Sequence, residues 1–245
     1  MDDTCSKSTK LLDIYCKGFG RVNKMKKLVV FALIGFAAQL VDGSLGMAYG
    51  VTSASLLLMS GIAPAVASAS VHMAEVVTTA ASGISHLKFG NVDKTVMKRL
   101  VIPGSIGAFT GACFLSHLPG ELAKPYIALF LFVLGIYVMG RFLFGNVHQA
   151  RSDKKPSSSF LVPLGLVAGF ADSTGGGGWG PLSTPVLLSR NELETRKVIG
   201  TVDTSEFAIA VSATLGFLIS LGPEKFHWPW MIALMIGGII AAPIA

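Results

Sequence analysis

Long apolar runs separated by short polar turns organise the chain, over approximately 28–59, 62–87, 100–118, 122–144, 160–188, 198–221 and 228–245. Each is close to or above the roughly 17–25 residues with which an α-helix crosses the hydrocarbon core of a bilayer. The pattern predicts an all-α, multi-pass integral membrane protein of seven segments. One stretch, Arg151 to Ser159 (RSDKKPSSS), is polar and carries a proline, which marks a linker. The expected organisation is a basic arm over 1–27, a first transmembrane unit over 28–145, a linker over 146–159 and a second unit over 160–245.

The two units resemble each other. A shift of about 130 residues lays Gly35 on Gly165, Asp42 on Asp172, Gly46 on Gly176, Tyr49 on Trp179 and Gly50 on Gly180. One residue more lays His72 on Asp203, Glu75 on Glu206 and Gly107 on Gly238. Duplication predicts two copies of a four-helix unit, the last helix of the second being absent from the sequence.

Composition agrees with a lipid solvent: 51% of residues are hydrophobic, 14% are charged, and the mean hydropathy is +0.62. Soluble domains carry about 25% charged residues. The net charge of +6 sits mainly in three clusters, Lys7 to Lys27, Lys88 to Arg99, and Arg141 to Lys155. The positive-inside rule assigns all three to the cytoplasm and argues against nucleic acid as the partner. The resulting expectation is a cytoplasmic N-terminus in a cell (inner or plasma) membrane, with four crossings per unit and parallel units. It leaves Arg190, Arg196 and Lys197 outside, against the rule. Re-entrant first stretches would instead invert the units. Residues 1–27 lack a signal-peptide core, and Cys5, Cys16 and Cys113 suggest neither disulfides nor a metal knuckle.

The candidate chemistry lies in the first stretch of each unit, which is interrupted by glycine: Asp42-Gly-Ser-Leu-Gly-Met-Ala-Tyr-Gly50 and Asp172-Ser-Thr-Gly-Gly-Gly-Gly-Trp-Gly180. Glycine costs about 1 kcal/mol per helix position relative to alanine, and Pro181 removes a donor, so both stretches read as broken helices. Unwound backbone at membrane depth is tolerated where it is buried or lines a polar cavity. The half-helices beyond the breaks would turn free N–H groups and a positive dipole end toward an anion. Candidate binding residues are Asp42, Gly43, Ser44, Gly46, Tyr49, Gly50, Asp172, Ser173, Thr174, Gly175, Gly176, Gly177, Gly178 and Trp179. The bland alternative is that small residues only permit close helix packing.

Intramembrane ionisable groups are usually functional, and here they are Asp42, Glu75, Asp172, Asp203 and Glu206 with His72. His72 and Glu75 share a helix face, as do Asp203 and Glu206. Carboxylates repel anions, whereas protonated carboxyls donate to them, so the expected mechanism is proton-linked, with His72, Glu75, Asp203 and Glu206 as the relay. As a competing role, Asp42 and Asp172 would merely cap the breaks. Gly175, Gly177 and Gly180 formally match a GxGxxG string, but without the strand and βαβ context that gives it meaning. His86, His117, His148 and His227 read as ordinary interfacial or loop histidines, and Trp228 and Trp230 as an aromatic belt.

The combination GFxAQxVDGxLGxxYG, SASVHMAE (Ser68 to Glu75), SGxSH, GNVD and PGSIGAFxGA, with GFADSTGGGGWGP and TPVLL in the second half, resembles the sulfite exporter TauE/SafE family of membrane permeases across residues 28–245. That resemblance implies duplicated four-helix units and transport of sulfite or a small organosulfur anion, with the broken stretches and His72, Glu75, Asp203 and Glu206 as its site. The alternatives are a cation or metal-ion transporter using the embedded acids, and a non-transport assembly subunit. No nucleophile–base pair, metal motif or cofactor motif is present, so no enzyme, metal or cofactor is expected. The expected partners are a small anionic solute and membrane lipid, with homo-oligomerisation left open.

Overall fold

Glycines, prolines and short polar turns cut the apolar runs into helices of two lengths. The structure, a computed structural model, describes residues 25–26, 28–40, 42, 48–144, 155–190, 192–226 and 228–241, apart from the side chains of 141, 142 and 144. Among these the chain forms α1 (Leu28–Leu40), α2 (Tyr49–Met59), α3 (Pro64–Lys88), α4 (Lys94–His117), α5 (Gly120–Phe144), α6 (Ser158–Gly175), α7 (Trp179–Ser189), α8 (Thr195–Leu221) and α9 (Trp228–Ala241). No strand occurs among the described residues. Three helices, α4, α5 and α8, are each long and apolar enough to cross a membrane.

Local chemistry sets the helix ends. Pro64 occupies the first turn of α3, where its missing N–H costs nothing. Asp93 caps α4 by accepting from the amides of Thr95 and Val96. Gly176 ends α6 in the left-handed conformation, with φ 76°, which a side chain at that position would disfavour. Within the bundle α4 packs along α6 and α8 through small residues: Gly104 faces Ile209 of α8, while Gly107 faces Leu166 and Gly111 faces Phe170 of α6.

Contacts at the helix ends fix the direction of each element. Arg190, just after α7, lies 4.3 Å over the ring of Phe160 at the start of α6, so this pair enters and leaves by one end. The same end holds Asp93, whose amide donates to Thr201 Oγ1 at 2.8 Å and whose carboxylate meets Lys155 Nζ at 2.9 Å. At the other end Phe31 of α1 stacks on Trp230 of α9, with centroids 5.1 Å apart. Pro64, which follows α2, faces Gly120 there. The α1–α2 pair therefore also enters and leaves by one end, the opposite one.

This arrangement corrects the expected topology. An 11-residue helix such as α7 is about 16 Å long, half of the bilayer core. The first stretch of each unit thus makes a hairpin rather than a crossing, and the two hairpins point at each other from opposite ends. Arg190, Arg196 and Lys197 then share the end of Lys94 and Lys155, in keeping with the positive-inside rule rather than against it. Lys26, by contrast, precedes α1 at the other end and does not share a face with the 88–99 loop.

Candidate functional site

The first turn of α2 meets the second break at the centre of the bundle. A β-carbon on Gly50 would fall 2.6 Å from the Gly177 Cα and 2.8 Å from Glu75 Oε1, so here backbone lies directly on backbone. Each break is closed by its own aspartate. Asp42 Oδ1 accepts from the amides of Ala48 at 2.8 Å and Tyr49 at 3.0 Å. Asp172 Oδ1 accepts from the Trp179 amide at 2.9 Å, while the Asp172 carbonyl takes the amides of Gly176 and Gly177. The half-helix N-termini are thus partly satisfied from within, which is the capping role weighed for these aspartates.

Around this junction sit the buried ionisable groups. His72 on α3 is fully buried, with Nε2 3.0 Å from Asp172 Oδ2 and Nδ1 2.8 Å from the Ser68 carbonyl. A carbonyl can only accept, so Nδ1 carries a proton, and a second proton is shared between Nε2 and the carboxyl. Ser68 also donates to the Ser173 carbonyl at 2.6 Å, tying α3 to the end of α6. Glu75 is 1% exposed, and neither of its oxygens has a hydrogen-bond partner among the described residues. His72 Nε2 stands 4.0 Å from Glu75 Oε2. Leaving a buried polar group unpaired costs roughly 1–3 kcal/mol, more when it is charged. Tyr49 Oη and Ser53 Oγ, close to the same break, are likewise buried, and they face each other without a well-formed hydrogen bond to any other described residue. On α8, Asp203 accepts from Ser82 Oγ at 2.7 Å, and Glu206 lies within electrostatic reach of Glu75, Asp172, Asp42 and Asp203.

Several expected site residues take other roles. Ser173 and Thr174, expected as hydroxyl donors, both turn back to the Phe170 carbonyl, at 3.2 and 2.7 Å. Thr174 and Gly175 instead border an apolar cavity of about 620 Å³ between α4, α5 and α6, walled by residues such as Phe114, Tyr126 and Phe130. Trp179 fixes its break, donating from Nε1 to the Val202 carbonyl and to Ser205 Oγ, both at 3.1 Å. Gly43, Ser44 and Gly46 lie outside the described residues, as does His227. Sequence reasoning left out Ser68, Ser82 and Ser205; hydroxyls on polar helix faces were the available signal. No group of three or more His, Cys, Asp or Glu side chains is arranged to hold a metal ion among the described residues.

Comparison with known proteins adds an independent finding. The model of the sulfite exporter TauE/SafE family matches residues 31–245. The chain is similar to the probable membrane transporter protein YtnM of Bacillus subtilis (strain 168), 69% identical over 222 residues that cover 90% of this chain and 74% of that protein. It is also similar to the probable membrane transporter protein y4hK of Sinorhizobium fredii, 25% identical, covering 87% of this chain and 86% of that one. The probable membrane transporter protein YdhB of Bacillus subtilis is 26% identical, with 78% and 77% covered. No solved structure matches the chain.

Proposed function

Because the chain belongs to the sulfite exporter TauE/SafE family and is a membrane transporter, we propose that it moves sulfite or a small organosulfur anion, linked to protons, through the junction of its two broken helices. What carries this reading is Glu75: a carboxyl buried at the crossing of the breaks, with no hydrogen-bond partner for either oxygen among the described residues. As a carboxylate it repels an anion; as a carboxylic acid it donates a hydrogen bond to one. Together with the backbone amides at the start of α7, a protonated Glu75 makes an anion-accepting lining, and loss of the proton expels the passenger. The hairpins form two related halves that enter from opposite ends, the arrangement in which secondary transporters place their sites at mid-depth. The end bearing Lys94, Lys155, Arg196 and Lys197 faces the cytoplasm in this proposal.

The test is flux of labelled sulfite in proteoliposomes holding the purified protein, with and without an imposed proton gradient. The gradient is expected to drive sulfite accumulation, and Glu75→Gln is expected to remove that dependence. The count of acids around Glu206 supports a second reading, with a cation as passenger, although no metal-binding set is formed among the described residues. Sodium or divalent-cation flux without any flux of sulfite or a sulfonate would establish that reading and sink the first.

A further inference from the structure

The polar positions of α3 do not stop at the central junction. His72, Glu75, Thr79, Ser82 and His86 are spaced alternately by three and four, so they form one stripe along the helix from mid-bundle to its last turn. α8 runs antiparallel beside it: the rings of His72 and Phe217 are 6.1 Å apart, and Gly83 faces Thr204. That pairing sets Asp203 and Glu206 of α8 against the stripe. Asp203 Oδ2 accepts from Ser82 Oγ at 2.7 Å and stands 3.7 Å from His86 Nε2. Exposure rises along the line, from 1% at Glu75 through 14% at the Asp203 side chain to 27% at that of His86. The charges facing Asp203 are His86 on α3, Asp42 at the first break and Glu206 on its own helix.

We infer that His86, Ser82 and Asp203 form the proton entry between the central carboxyls and the basic end of the bundle, a role that rests on the proton-linked reading above. His86 sits in the last turns of α3, where its ring reaches water while still facing Asp203. A proton from water binds Nε2, and the imidazolium passes it to Asp203 Oδ2. The Ser82 hydroxyl holds that oxygen in place. The 3.7 Å separation is bridged by a small side-chain rotation or a single water. Asp203 then hands the proton to Glu206, three residues further along the same face, and Glu206 to Glu75, while His86 returns to its neutral form. The unpaired Glu75 carboxyl is the terminus that such a line requires, since its oxygens are not engaged elsewhere. His86 and Ser82 are positioning and transfer residues; neither touches the passenger.

The experiment follows carboxyl protonation by infrared difference spectroscopy after a jump from about pH 8 to about pH 6, the range in which imidazole titrates, on the purified full chain in lipid. No passenger is needed, so this result and the sulfite flux can fail separately. A carboxyl band that Glu75→Gln or Glu206→Gln removes is expected to rise quickly in the parent protein. In His86→Ala and His86→Gln its rise slows by about tenfold, and added imidazole restores it in His86→Ala. Asp203→Asn slows it without rescue. A parent-like rate in both His86 variants, a slow rate that imidazole leaves unchanged, or no titrating carboxyl band at all would each overturn the inference.

Discussion

The contact between the breaks makes Gly50→Ala the most direct test of the fold's centre. The added methyl would fall 2.6 Å from the Gly177 Cα and 3.1 Å from the Gly176 carbonyl oxygen, both backbone atoms that cannot turn aside. Carbons in ordinary contact lie about 3.5 Å apart, so the two hairpins must separate by roughly 0.9 Å. Overpacking of this kind costs about 1–3 kcal/mol, against a total stability of roughly 5–15 kcal/mol. Gly135→Ala is the control, because a β-carbon there has no neighbour within 4 Å. Thermal unfolding in detergent is expected to show a lower midpoint for Gly50→Ala and none for Gly135→Ala. Flux through the surviving folded protein is expected to drop at least about tenfold, since displacements near 1 Å in a positioned site cost that much or more. A Gly50→Ala protein as stable and as active as its parent would show that the breaks do not touch.

Gly176→Ala places a side chain at φ 76° and 2.8 Å from the Ala54 Cβ, and a loss of about 1–2 kcal/mol or more is expected in the same unfolding assay. Asp93 provides a pH test at the basic end. Burial alone would push its carboxyl up, but the Lys155 hydrogen bond, the Val96 and Thr95 amides and the Lys155 charge hold it below the ordinary value. Its stabilising contribution is therefore present above the unfolded value of about 3.9 and lost as pH falls through the lower folded value. The unfolding midpoint of the parent protein should gain an acid-side decline below about pH 4 that Asp93→Asn lacks. In a cysteine-free background, Lys26→Cys and Lys94→Cys are expected to react with a membrane-impermeant maleimide from opposite sides; labelling from one side would refute the hairpin topology.

Most helices were legible because the apolar runs and their turns are local signals. The break between α6 and α7 followed from its glycines, and the turn before α3 from proline and hydropathy. The topology was misread because charge was allowed to outvote length. A single crossing by residues 28–59 would make a helix of about 48 Å, while the bilayer core is about 30 Å. Two short helices, α1 and α2, back to back resolve that excess as a hairpin. Once both hairpins are re-entrant, Arg190, Arg196 and Lys197 cease to be exceptions.

The chemistry was legible residue by residue but not in its pairings. Helical spacing put His72 and Glu75 on one face, yet periodicity names a face and never a partner, and the Asp172 bound to His72 is a hundred residues away. The same limit hid His86: three or four residues along a stripe look like a helix end until α8 brings Asp203 beside it. Asp42 and Asp172 were readable either as caps or as ligands; in the structure one Asp42 oxygen accepts two amides, whereas the Asp172 carboxyl divides its oxygens between the Trp179 amide and His72. Glu75 is the opposite case. Among the described residues no hydrogen-bond donor reaches its oxygens and only His72 stands at ion-pair distance, so its charge state answers to burial, to its ionisable neighbours and to whatever enters the junction, which is the condition a coupling carboxyl has to meet.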